Sequence, residues 1–157
     1  KFKWGFTNSV TWKNFDVFTL LDVAVGGQAY NQTNQRMYQW AKSADVDQAG
    51  KPQELKKPIE YYVALYAANS PTDYFVEDAG YVKLRELSVK YRFGQKTVGL
   101  LRPFGARGAA ISLIGRNLFT STKYSGYDPE VGGTLTRLDS FDYPRYRTFT
   151  GSFEITF

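Results

Sequence analysis

The chain has 157 residues, with 20 Lys and Arg against 15 Asp and Glu for a formal charge of +5. It holds neither Cys nor His, which excludes a disulfide framework, thiolate or imidazole metal ligands, and catalysis by either side chain. With 43% apolar and 22% charged residues it is composed for a packed fold, and 17% aromatics point to surfaces where rings lie half in apolar and half in wet surroundings.

No run of about 18 apolar residues occurs, so no transmembrane helix is expected. No signal-peptide pattern opens the chain at Lys1-Phe2-Lys3-Trp4. Residues 1–12 instead alternate. Phe2, Trp4, Phe6, Val10 and Trp12 share one side with Asn8, and Lys1, Lys3, Gly5, Thr7, Ser9 and Thr11 share the other. Successive side chains of a strand point to opposite faces, so this is a two-faced strand. On a soluble sheet its aromatic face needs a covering layer; in lipid it does not.

Lys13-Asn14 turns the chain into a second strand, about 15–30. There Phe15, Val17, Thr19, Leu21, Val23 and Val25 oppose Asp16, Phe18, Leu20, Asp22 and Ala24. From Asn31 to Asp78 the period of two disappears. Thr33 is placed to cap a short helix carrying Met37, Tyr38, Trp40 and Ala41. Pro58 is placed to open a second helix to about Ala67, stopped by Asn69-Ser70-Pro71. So long a connection is usually functional.

The third strand, about 80–93, sets Leu87, Val89, Tyr91 and Phe93 against Glu86, Ser88, Lys90 and Arg92. Lys83 and Arg85 share the parity of the apolar set, so Tyr81 to Arg85 is expected to rise above an apolar band, wet on both faces. A connector, 94–108, carries one helical turn near Lys96 to Leu101. The fourth strand, about 109–119, opposes Ile111 and Leu113 to Ser112 and Arg116, with Ile114 and Leu118 off pattern. A Gly-rich loop, about 120–142, precedes a closing strand, about 143–157. In it Phe149, Gly151, Phe153, Ile155 and Phe157 face one way and Thr148, Thr150, Ser152, Glu154 and Thr156 the other.

A sandwich strand alternates in the same way, so the connections carry the choice. Turn 13–14 and connector 94–108 fall at one end of the strands, and loops 31–79 and 120–142 at the other. Outer-membrane barrels show this asymmetry of short periplasmic turns and long extracellular loops. It places the C-terminus on the periplasmic side. The expected fold is all-β: five antiparallel strands of a transmembrane β-barrel, with short helices in the loops. Barrels of this kind have about eight strands or more, and an open edge in lipid leaves backbone groups unsatisfied. The chain is therefore expected to be part of something larger.

Four stretches carry a family resemblance. They are Asp73 to Leu87 (DYFVEDAGYVKLREL), Gly115 to Thr120 (GRNLFT), Tyr124 to Val131 (YSGYDPEV), and Tyr143-Pro144 with Thr148 to Gly151 and the final Phe157. In order and spacing they resemble late barrel strands and loops of SusC/RagA-type TonB-dependent outer-membrane transporters. The likeness is strong over 73–157 and looser over 1–72. It implies the C-terminal part of a plugged barrel of about 22 strands and an importer of oligosaccharides or peptides. It also implies a SusD-like surface lipoprotein as partner and energy from TonB–ExbB–ExbD through upstream regions. No cofactor and no metal are expected.

Candidate substrate- or partner-facing residues lie in the two long loops: Tyr38, Trp40, Tyr61, Tyr62, Tyr127, Asp128 and Glu130. Tyr30 and Tyr66 lie there too. These rings either stack on sugar faces or pack the loop's own helices. Asp128-Pro129-Glu130 either ligates Ca²⁺ or a sugar hydroxyl, or is a turn fixed by proline. Glu77 and Asp78 are adjacent on an extended chain and point apart, which does not suit a paired-carboxylate mechanism. Lys90, Arg92, Arg116 and Glu154 belong to the wet face, and Asn117 is placed to cap a strand end. Phe149, Phe153 and Phe157 form the lipid face, and the terminal aromatic resembles the signal read by the barrel-assembly machinery.

Other classes make distinct demands. A soluble β-sandwich that binds carbohydrate needs a second sheet over the apolar faces and a buried Phe157. A nucleic-acid module needs rings and cations together, whereas here they lie on opposite strand faces. An independent enzyme is not expected, since no phosphate cradle, triad or metal spacing appears.

Overall fold

The computed structural model describes residues 1–64, 73–133 and 136–157. Its strands are β1 (Phe2–Trp12), β2 (Phe15–Val25), β3 (Gln28–Asn31), β4 (Val76–Asp78), β5 (Tyr81–Arg92), β6 (Gly108–Thr122), β7 (Leu138–Asp139) and β8 (Thr148–Thr156). Short helices α1 (Gln32–Gln39), α2 (Ile59–Ala64) and α3 (Gln95–Gly99) lie between them. The chain divides into two compact units. One comprises Lys1–Val25, Tyr81–Ser121 and Arg145–Phe157; the other comprises Gly26–Gly80 and Thr122–Pro144.

The first unit is one five-stranded sheet in the order β1-β2-β5-β6-β8. Directly opposed residues of an antiparallel pair share a face. Phe2, Trp4, Phe6, Val10 and Trp12 thus lie beside Val25, Val23, Leu21, Val17 and Phe15. Phe15 and Val17 continue to Tyr91 and Val89. On the far side Ile111 pairs with Phe153 and Ala109 with Ile155. The result is one continuous apolar face, and none of the described residues covers it: Trp4 is 57% exposed, Leu113 60%, Phe153 59% and Phe157 70%. The covering sheet and buried Phe157 that a sandwich demands are not found among the described residues.

β5 does not leave the sheet at Tyr81 to Arg85. Leu20 opposes Glu86 while its neighbour Leu21 opposes Leu84, so Arg85 is an extra residue in β5. This β-bulge resets the parity. Val82 and Leu84 return to the apolar face beside Val23 and Leu21, and Lys83 and Tyr81 lie with Asp22 and Ala24. Lys83 is only 3% exposed, so the expectation of a stretch wet on both faces is overturned.

β2 stops at Val25 and does not reach Tyr30, because Gly26 and Gly27 both take positive φ, of 70° and 95°. β6 runs past Phe119 to Thr122. Its irregularity centres on Asn117, at φ 52°, whose side-chain amide donates to the carbonyl of Tyr146 at 3.0 Å. Leu118 then lies over Gly115, where an added Cβ would meet its Cδ2 at 2.8 Å. Ile114 keeps to the polar face, opposite Thr150.

The second unit holds a three-stranded sheet, β4-β3-β7, in which β3 is antiparallel to β4 and parallel to β7. Two apolar clusters sit in it. One is Ala29, Ala79, Tyr124 and Val131; the other is Tyr38, Tyr62 and Phe75, packed by Tyr30 and Val46.

Candidate functional site

Lys90, Arg92 and Arg116, which the sequence assigns to the wet face of the sheet, each meet a carboxylate there, and Arg85, brought to that face by the bulge, does so too. Arg92 pairs with Asp16 at 2.7 Å, Arg116 with Glu86 at 2.8 Å, and Arg85 with Asp22 at 2.5 Å. Lys90 of β5 reaches Glu154 of β8 at 2.7 Å, with β6 between them. The small Ala110 opposite Glu154 leaves room for that crossing. Charge within these four pairs is balanced, which weakens the field that the pairs set up beyond the face.

The loop unit is built around two carboxylates. Glu77 accepts from Asn31 Nδ2 at 2.9 Å, Ser125 Oγ at 2.8 Å and the Ser125 N–H at 2.7 Å. Asp139, 4% exposed, accepts from Tyr124 OH at 2.6 Å and Thr33 Oγ1 at 2.7 Å. Burial, aided by the Asp139 carboxylate, pushes the Tyr124 phenol well above its ordinary range, so it stays a neutral donor. These bonds tie the 26–80 segment to the 122–144 segment. Asn31, not Thr33, caps α1, accepting from the Asn34 N–H at 2.9 Å. Thr33 is drawn away to Asp139 and to the Phe141 N–H, which donates to its hydroxyl at 2.7 Å.

The sequence-derived candidates separate by exposure. Tyr38 and Tyr62 are 3% and 6% exposed and stack on each other at 5.9 Å. Tyr38 donates to Asp45, and burial together with that bond raises its phenol as well. Trp40, Tyr61 and Tyr127 are 53%, 48% and 81% exposed. Tyr66 and the predicted end of the second helix lie outside the described residues; α2 is described from Ile59 to Ala64. Asp128 Oδ1 accepts from the Glu130 N–H at 2.8 Å, and Pro129 between them is fully buried, which is the geometry of a fixed turn. Among the described residues no group of three or more acidic side chains is placed to hold a metal ion. Glu77 and Asp78 do point apart: Asp78 accepts from the Gly80 N–H at 2.8 Å.

Two features escaped the sequence reading. Asp139 and Tyr124 join the loop core through bonds, Asp139 to Thr33 among them, that span distant parts of the sequence. Phe141 stacks on Trp40 at 5.6 Å and 14° while holding φ at 60°, a conformation that bulky residues rarely adopt. No local pattern announces either.

No family model matches the chain. It is 28% identical over 165 residues to TonB-dependent receptor P3 of Formosa agariphila, a match covering 99% of this chain and 16% of the relative. It is 24% identical over 166 residues to TonB-dependent receptor P26 of the same organism, covering 98% and 16%. Over its whole length the chain resembles TonB-dependent receptors. Among solved structures, the RagAB peptide transporter matches with TM-score 0.69 and 21% identity, over 98% of this chain and 17% of that one. The RagAB peptide importer in its open-open state matches with TM-score 0.65 and 20% identity, over 99% and 17%. The fold is thus that of a segment of such a chain. It spans about a sixth of the length of these TonB-dependent relatives.

Proposed function

We propose that this chain is the C-terminal segment of the β-barrel of an outer-membrane TonB-dependent importer, with its C-terminus on the periplasmic side. The observation that carries the reading is the uncovered apolar face of the sheet together with its two open edges. β1 and β8 end the strand order, so each has one side without a partner among the described residues. Exposed to water this surface is an aggregation hazard; facing lipid, with further strands completing a barrel, it is stable. The likeness to TonB-dependent receptors and to RagAB supports the same reading.

The full protein then imports oligosaccharides or peptides, assisted by a SusD-like lipoprotein and energised by TonB. The loop unit contributes to the extracellular mouth. Its outward groups are Tyr61, Tyr127 and the Trp40–Phe141 pair, with Asp128 and Glu130 half-buried in their turn, while Tyr38 and Tyr62 support the loop from within. The test is growth of a strain lacking the full gene on individual oligosaccharides and peptides. One nutrient lost, and regained only with an intact TonB system, supports the reading. Uptake of every nutrient unaffected by deletion contradicts it.

A further inference from the structure

Connector 93–107 holds cations of a different kind from those on the sheet. Residues 93–108 contain Lys96, Arg102 and Arg107 but no Asp or Glu. Lys96, Arg102 and Arg107 are exposed. Among the described residues none of the three has an ion-pair partner, whereas Arg85, Lys90, Arg92 and Arg116 all do. The nearby acids, Asp16 and Glu154, are already engaged by Arg92 and Lys90.

The same connector exposes large apolar side chains. Leu100 is 76% and Phe104 77% exposed, although Val98 and Ala106 beside them are buried. Those two anchor the connector, so the outward position of Leu100 and Phe104 belongs to a folded turn. Arg107 donates its N–H to the Thr156 carbonyl at 2.7 Å, and a Cβ on Gly105 would lie 3.8 Å from the Phe157 ring. The connector therefore joins the apolar face at Phe157. At the neighbouring turn Trp12 is 63% exposed with the Lys13 ammonium 4.8 Å over its ring. Apolar side chains among unpaired cations, continuous with an apolar wall, are the makings of a membrane-surface anchor.

We propose that connector 93–107 is a foot that docks on anionic phospholipid. Leu100 and Phe104 enter the headgroup boundary, and Lys96, Arg102 and Arg107 hold lipid phosphates. The inference rests on the membrane reading above and adds a lipid-binding site to it.

The test uses the full-length transporter, purified in detergent and stripped of lipid. It is offered phosphatidylglycerol, phosphatidylcholine or lipid A, and bound lipid is counted by native mass spectrometry. Phosphatidylglycerol is expected to be retained over phosphatidylcholine, and K96Q/R102Q/R107Q to weaken that preference at least about tenfold, since each cation near an anionic surface is worth about fivefold. Leu100→Ser with Phe104→Ser is expected to lower retention of both phospholipids. Should the triple variant misfold, K96Q and R102Q singly decide the same question, each lowering the preference about two- to fivefold. An unchanged preference in the folded variants overturns the proposal, and so does lipid A held as well as phosphatidylglycerol. A protein that never forms a compact, heat-modifiable species fails the barrel reading instead; one that does, without the lipid preference, fails only this inference.

Discussion

Arg85, the residue with no opposite number in the β2–β5 ladder, donates Nε and Nη2 to the same Asp22 oxygen, at 3.1 and 2.5 Å. The bulge and the ion pair are one device. The extra residue swings its guanidinium to the polar face, and the strand beyond it resumes with Leu84 and Val82 on the apolar face. Both partners are largely shielded, with side chains 18% and 24% exposed. Asp22→Asn is expected to lower barrel stability by about 1.5–3 kcal/mol, the worth of hydrogen bonds to a charged group. Glu154→Gln, at a pair 35% and 59% exposed, is expected to cost less than about 1 kcal/mol. The temperature at which the compact species converts to the extended one on a gel reads both.

On the proposed reading the two faces of β8 meet different solvents, lipid on one side and water on the other. Arg in place of Phe153 puts a charge on the apolar face, which costs about 2–4 kcal/mol at mid-membrane depth. Arg in place of Ser152, one position away and opposite Ser112 on the polar face, is expected to leave assembly intact. The folded fraction in isolated outer membranes distinguishes them. Equal tolerance at both positions contradicts the assignment of faces.

On the proposed barrel reading, the exposed Phe157 is a residue the assembly machinery would read, and Phe157→Ala is expected to lower insertion of the full protein. Quantitative immunoblotting of outer-membrane fractions checks it, and an unchanged yield counts against that role.

The Tyr124 phenol, buried against Asp139, makes the loop unit sensitive to alkali. The phenol titrates at 10.0 when unperturbed and higher when buried beside Asp139. The folded loop thus keeps a proton that the unfolded loop loses as pH passes 10, and this contribution to stability is lost above that point. Amide protection of residues 122–131 is expected to be flat from about pH 6 to 9 and to decline above about 10. Asp139→Ala, which strands the buried Tyr124 hydroxyl and the half-buried Thr33 hydroxyl, is expected to cost about 2–4 kcal/mol of loop stability at neutral pH.

Gly126→Ala is expected to disrupt the same region. Its Cβ would lie 2.4 Å from the Tyr124 ring and 2.9 Å from Asp139 Oδ2, both held by the bond between them. Overpacking of this kind costs about 1–3 kcal/mol. Limited proteolysis of intact cells, with cleavage mapped to residues 122–144, reports the loss.

The alternation of β1 and β8 was legible because each residue's solvent is written into a period of two. The bulge at Arg85 was not, since a lone strand shows only a break in pattern; which residue is extra depends on the register against β2. The stop at Gly26-Gly27 did carry a local signal, masked because Gln28, Ala29 and Tyr30 resume the strand pattern in another sheet. At the start of α1, Asn31 and Thr33 are both capable caps, and the choice is made by Asp139, far along the chain. Exposure of the loop rings was equally hidden: Tyr61 and Tyr62 are neighbours, and only packing against Tyr38 buries one of them.

The most direct test of the central claim is the state of the native protein. Outer membranes are extracted in detergent and run on a gel unheated and boiled, with peptides of residues 1–157 located by mass spectrometry. The account predicts that they fall in a heat-modifiable species several times larger than a 157-residue chain. Recovery of the native protein as a water-soluble monomer of this size, folded without detergent, would contradict it.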